Sequence, residues 1–234
     1  MDHHSPRTTI AIVGGTGPQG RGLGYRLARA GHQVILGSRD GDRAAQAAAD
    51  LSELPAVGTT VRGDTNASAV ADAEVVILAV PYKGHADLVG GLAADLDGKL
   101  LISCVNPLGF DRHGPYGLDV PDGSAAEEAA RIVPGTTVVG AFHHLSAPLL
   151  LDPGADLSHE DVLVCGDDAE AKTRVMALAV EVTGGRGVDA GRLRTARQLE
   201  PLTAVLISVN KRYRTRSGIA VTGMPQPTPE KVIA

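Results

Sequence analysis

TTIAIVGGTGPQGRGLGYRLARAGHQVILGSR, residues 8–39, decides the fold. Residues 8–13 form a short β-branched run ending at Gly14-Gly15, the pattern of a buried strand. Residues 20–30 follow with Leu23, Leu27 and Ala30 on one helical face, and Gly31 suits the helix end. Residues 34–36 are a second apolar run, closed by Gly37-Ser38-Arg39. Between strand and helix lies Gly15-Thr16-Gly17-Pro18-Gln19-Gly20, a G-x-G-x-x-G motif. There Gly15 permits a tight turn, Gly17 lets the backbone approach a pyrophosphate, and Gly20 allows close helix–strand packing. The helix start offers N–H groups and partial positive charge to that anion. A glycine-rich turn without a ligand uses the same letters; the strand and helix on the correct flanks argue against it.

The tip of the second strand selects the dinucleotide. Binders of NAD usually carry Asp or Glu there, on the ribose 2′-hydroxyl. Here the tip is Ser38-Arg39, with Arg43 four residues on, and a hydroxyl with two guanidinium groups suits a 2′-phosphate. Asp40 lies past Arg39 and is expected to face solvent, while Asp42 is the expected cap of a helix over 43–51. NADP(H) is therefore favoured over NAD(H).

Outward from this unit the alternation continues. Strands are expected at 59–62, 75–80, 100–105 and 137–142, with helices at 66–71, 85–96 and 124–133 and a long loop at 109–123. This is an α/β chain with a Rossmann-type doubly wound parallel sheet, the NADP-binding domain, over 8–150. A small C-terminal α+β domain is expected over 151–222, with strands at 161–165 and 187–189 and helices at 168–182 and 194–213. Residues 223–234 read as a flexible tail. Val80-Pro81-Tyr82 and Asn106-Pro107 end two strands, and ligands bind beyond the carboxyl ends of such strands, so these turns should line the nicotinamide end.

Composition limits the rest. The 234 residues carry a net charge of −5 and six Tyr and Phe, which argues against a nucleic-acid binder. No apolar run approaches the roughly 18–20 residues of a membrane helix. Cys104 and Cys165 sit in apolar runs and read as buried thiols, so a cytoplasmic protein is expected. His143-His144 invites an acid–base or metal reading, but neighbours on a strand face opposite ways and no third ligand is spaced for a metal, so none is expected. His3-His4 lies near the start of the chain. None of the five lysines stands at an obvious catalytic position. Lys211-Arg-Tyr-Arg-Thr-Arg216 reads first as a solvated helix end and second as a clamp for an anionic ligand.

Six segments together resemble the NADPH-dependent F420 reductases, also called F420H2:NADP oxidoreductases: GGTGPQGRGL (14–23), AGH (30–32), GSR (37–39), CVNPLGF (104–110), GAFHHLSA (140–147) and CGDD (165–168). The resemblance runs in order from about residue 8 to about residue 221. It implies reversible hydride transfer between NADP(H) and the deazaflavin coenzyme F420, in a homodimer. It also implies pyrophosphate contacts from Thr16 to Gln19, and 2′-phosphate contacts from Ser38, Arg39 and Arg43. Tyr82 and Ala147 would lie at the nicotinamide half, with His143, Leu145 and Ser146 bordering the deazaflavin. Direct hydride transfer leaves no residue with an obligatory catalytic role, His143 being the one candidate. Two alternatives stay open, a non-catalytic NADP(H)-binding redox sensor and an NADPH-dependent reductase of another small acceptor. The apolar stripe Leu199, Leu202, Leu206 and Val209 suits either a dimer contact or packing within the subunit.

Overall fold

The computed structural model describes residues 7–224, so His3-His4 and residues 225–234 of the expected tail lie outside the described residues. In chain order the elements begin with β1 (Thr9–Val13), α1 (Pro18–Ala30), β2 (Gln33–Ser38), α2 (Gly41–Ser52), β3 (Val61–Thr65), α3 (Asn66–Ala71) and β4 (Val75–Leu78). Next come α4 (His85–Gly91), α5 (Ala93–Leu96), β5 (Leu100–Ser103), β6 (Leu108–Asp111), β7 (Gly114–Gly117), α6 (Ala125–Ile132) and β8 (Thr137–Gly140). The chain closes with α7 (Ala147–Leu151), β9 (Asp161–Gly166), α8 (Ala169–Thr183), β10 (Arg186–Asp189) and α9 (Ala196–Tyr213).

Eight strands form one sheet in the order β10-β9-β8-β5-β4-β1-β2-β3. Every pairing is parallel except β8 with β9, which meet antiparallel at Val139–Gly166 and Gly140–Cys165. The sheet therefore continues into the C-terminal part of the chain. Central strands are buried on both sides: Ile10 and Ile12 pack with Leu23, Leu27 and Val175, whereas Ala11 and Val13 pack with Val70 and Ala126. Helix α1 is tied to the segment after β8 by Arg26. Its buried guanidinium donates to the carbonyls of Leu149, Leu150, Asp152 and Ala155, at the end of α7 and in the segment that follows it.

Several elements differ from expectation for local reasons. Helix α1 starts at Pro18, because proline at a first helical position has no N–H to lose. Asp40, not Asp42, caps α2, its carboxylate accepting from Arg43 N at 3.1 Å. The helix expected over 85–96 breaks at Leu92, and the 109–123 loop contains the antiparallel hairpin β6–β7. On α9 Leu199 is buried, Leu202, Leu206 and Val209 are half-buried, and Val205 is 55 % exposed. Among the described residues no helix is long and apolar enough to cross a membrane.

Candidate functional site

The turn after β1 is built by glycine. Gly14, rather than Gly15, takes the left-handed conformation, with φ of 79°. A Cβ on Gly20 would lie 2.6 Å from Gly14 O, so this position admits no side chain while α1 starts against the loop. The tight-turn role expected of Gly15 therefore belongs to Gly14. Gly15 instead lets the loop approach β2 at Leu36.

Beyond this loop, at the carboxyl ends of β1, β2 and β4, lies a cleft of about 460 Å³. Thr16 and Gly17 line it, with Ser38, Arg39 and Arg43 at one end and Val80 and Pro81 at the other. Ser38 is buried, and its Oγ accepts from Asp40 N at 3.2 Å. Arg39 and Arg43 are exposed cations bordering the same space. Asn66 and Lys83, not singled out in the sequence, line it too. Asn66 Oδ1 is buried and without a hydrogen-bond partner.

Tyr82 turns away from this cleft. Its hydroxyl donates to Glu128 Oε1 on α6 at 3.1 Å, and Glu128 Oε2 accepts from His85 Nδ1 at 2.6 Å. Burial, followed by the Glu128 charge, pushes the phenol up to about 12. The Tyr82–Glu128–His85 chain escapes sequence reading because Glu128 stands on α6, far along the chain from the β4–α4 turn that carries Tyr82 and His85.

A second cluster surrounds the turn after β8. The strand ends at Gly140, and Phe142 has φ of 62°, a strained conformation for a bulky side chain. Three side chains from distant parts of the chain hold this turn. Gln19 Nε2 donates to Phe142 O at 3.2 Å, while Asn106 Nδ2 and Thr203 Oγ1 donate to His143 O at 3.0 and 3.1 Å. Thr203 was not singled out in the sequence. The two histidines lie on a turn and not on a strand, so their rings do not face opposite ways; the centroids are 5.8 Å apart. Both are buried. His144 Nε2 donates to Leu199 O at 2.7 Å, whereas neither ring nitrogen of His143 has a partner. Burial, helped by His144, lowers His143 to about 3, so its ring is neutral near pH 7. Among the described residues no group of three or more His, Cys, Asp or Glu could hold a metal ion.

Of the remaining expected residues, Pro107 and Leu145 are buried, Ser146 precedes α7 and Ala147 opens it. Pro18 and Gly20 lie in the first turn of α1 and do not border the cleft. The site thus consists of a cation-edged cleft over a glycine loop and a strained, buried turn. Gln19, at the start of α1, joins the two.

The family model described as NADP oxidoreductase, coenzyme F420-dependent, matches residues 9–107. The F420-dependent NADP reductase of Methanothermobacter marburgensis is 40% identical over 224 residues, covering 93% of this chain and 99% of the relative. That of Methanocaldococcus jannaschii is 36% identical, with 92% and 98% covered. A solved structure of a candidate F420-dependent NADP-reductase from Arthrobacter sp. superposes with a TM-score of 0.77 at 32% identity, covering 92% of this chain and all of that one.

Proposed function

This chain belongs to the F420-dependent NADP reductases, and from that premise we propose that it transfers a hydride reversibly between NADP(H) and coenzyme F420. What carries the reading is agreement along almost the whole chain with relatives named for this reaction. Hydride exchange is supplied by the two cofactors, so the protein's part is binding, orientation and exclusion of water.

The cleft suits NADP(H) on its own chemistry. Loop N–H groups at the start of α1 receive the pyrophosphate, while Ser38, Arg39 and Arg43 receive the 2′-phosphate. Val80 and Pro81 lead toward the nicotinamide. The turn over 142–147 borders the deazaflavin, held rigid by Gln19, Asn106 and Thr203. In this reading residues 8–150 bind NADP(H), and 151–222 complete the F420 side through Thr203 on α9. A homodimer and a cytoplasmic location belong to the same proposal. The half-exposed apolar face of α9 supports the first, and two buried free thiols support the second.

The direct test mixes purified protein with NADPH and oxidised F420 and follows the deazaflavin's visible absorbance. Rapid bleaching with NADPH, and much slower bleaching with NADH, is the expected result. Tight NADPH binding without bleaching would transfer the reading to another acceptor or to a redox sensor.

A further inference from the structure

Lys83 is the one cation lining the cleft that stands on the β4 side of it. Strand β1 lies between β2 and β4, so the tips carrying Arg39 and Lys83 are two strand spacings apart, about 10 Å. Extended Lys and Arg side chains reaching in from both sides span such a gap. Neighbouring residues of the β4–α4 turn point in different directions. Tyr82 goes to Glu128 on α6, and Lys83 to the cleft. Lys83 is exposed and makes no ion pair among the described residues, so its charge is not already neutralised by the protein.

The charges of the cleft make its role specific. Arg39, Arg43 and Asp40 sum to one positive charge, and Lys83 raises this to two. A phosphate monoester carries about −1.5 to −2 near neutral pH. On the same reading of the cleft the pyrophosphate falls to the N–H groups at the start of α1, which leaves the side-chain charge to the monoester. Asn66, its side-chain oxygen buried and unpartnered in the same cleft, lies at the start of α3 beside the β2 tip and marks that end as a polar ligand site.

We propose that Lys83 is a third phosphate-reading cation, binding the 2′-phosphate of NADP(H) from the side opposite Arg39 and Arg43 and setting the preference over NAD(H). The proposal rests on the NADP(H) reading of the cleft and goes beyond it by assigning selectivity to the β4–α4 turn.

Calorimetric titration of the full chain with NADPH and with NADH, without F420, tests it apart from turnover. Lys83→Ala is expected to weaken NADPH about tenfold and NADH less than twofold. Lys83→Glu should weaken NADPH further, and Lys83→Arg should restore it. The Ala variant should also show a smaller loss of NADPH affinity on adding salt than the unaltered protein. Equal losses for the two dinucleotides, or no loss, overturn the assignment while leaving the cleft reading intact. Failure of the unaltered protein to bind NADPH would overturn both.

Discussion

Arg39 concentrates the dinucleotide reading in one side chain. It is exposed at the tip of β2, so its replacement should leave the fold intact and change only what binds. Arg39→Ala should weaken NADPH relative to NADH by about 1.5–3 kcal/mol, the usual worth of a hydrogen bond to a charged group. Michaelis constants for the two cofactors, measured side by side, check this, and parallel changes would contradict it. Residues like Arg39 can be found in a sequence because their neighbours along the chain announce them: strand, glycine loop, helix, strand tip. Lys83, Asn66 and Thr203 carry no such announcement. They reach the site through pairings between strands and helices far apart in sequence, and a Lys after Pro-Tyr looks like any solvated lysine until β4 is seen beside β1. The histidine pair shows the opposite failure. Opposed faces follow from strand geometry, but the strand stops at Gly140 and the rule no longer applies.

At the level of elements, the contact of α9 with α6 holds a titrating group. Glu200 is buried and accepts from the N–H groups of Ala125 and Ala126 at 2.8 and 3.0 Å. Burial outweighs these two bonds and raises its carboxyl to about 7. A carboxyl raised on folding stabilises the fold in its protonated form, and that stability fades as pH climbs through the folded value. Unfolding free energy should therefore drop between about pH 4.5 and 7 by up to about 3 kcal/mol through this group. Denaturant titrations should show Glu200→Gln lacking this part of the decline, so that the variant gains on the parent as pH rises. A constant difference across that range would remove Glu200 as its source. The other end of α9 presents Lys211, Arg212, Arg214 and Arg216, all exposed. The chain does not fray there, since Ser217 N and Oγ both donate to Asn210 Oδ1. F420 ends in a phosphate and glutamates, and Arg212→Ala with Arg214→Ala should raise its Michaelis constant several-fold while NADPH is unaffected. Unchanged kinetics for both would leave the basic run as a solvated helix end. Helix existence was readable from periodicity, whereas the hairpin β6–β7 was not. Its strands contain Gly114, Pro115 and Gly117, which read as loop, and they pair with each other and not with the main sheet.

For the whole molecule, three large apolar side chains stand exposed on α9 and on the hairpin. Val205 and Tyr213 on α9 are 55 % and 69 % exposed, and Phe110 on the hairpin is 68 % exposed. Apolar exposure of this kind fits the proposed homodimer. Sedimentation should give twice the chain mass, and Val205→Glu should shift it toward one chain by placing like charges across a two-fold contact. A monomer from the unaltered protein would instead leave α9 as a surface within the subunit. The sheet itself has a further consequence at the β8–β9 seam. A parallel step commits the connecting chain to cross the sheet and return, usually as a helix. An antiparallel step makes no such demand, and residues 141–160 instead carry α7 onto α1, where Arg26 holds the carbonyls of Leu149, Leu150, Asp152 and Ala155. The placing of this stretch therefore depends on the side chains that hold its carbonyls, Gln19, Asn106 and Thr203 near its start and Arg26 further on.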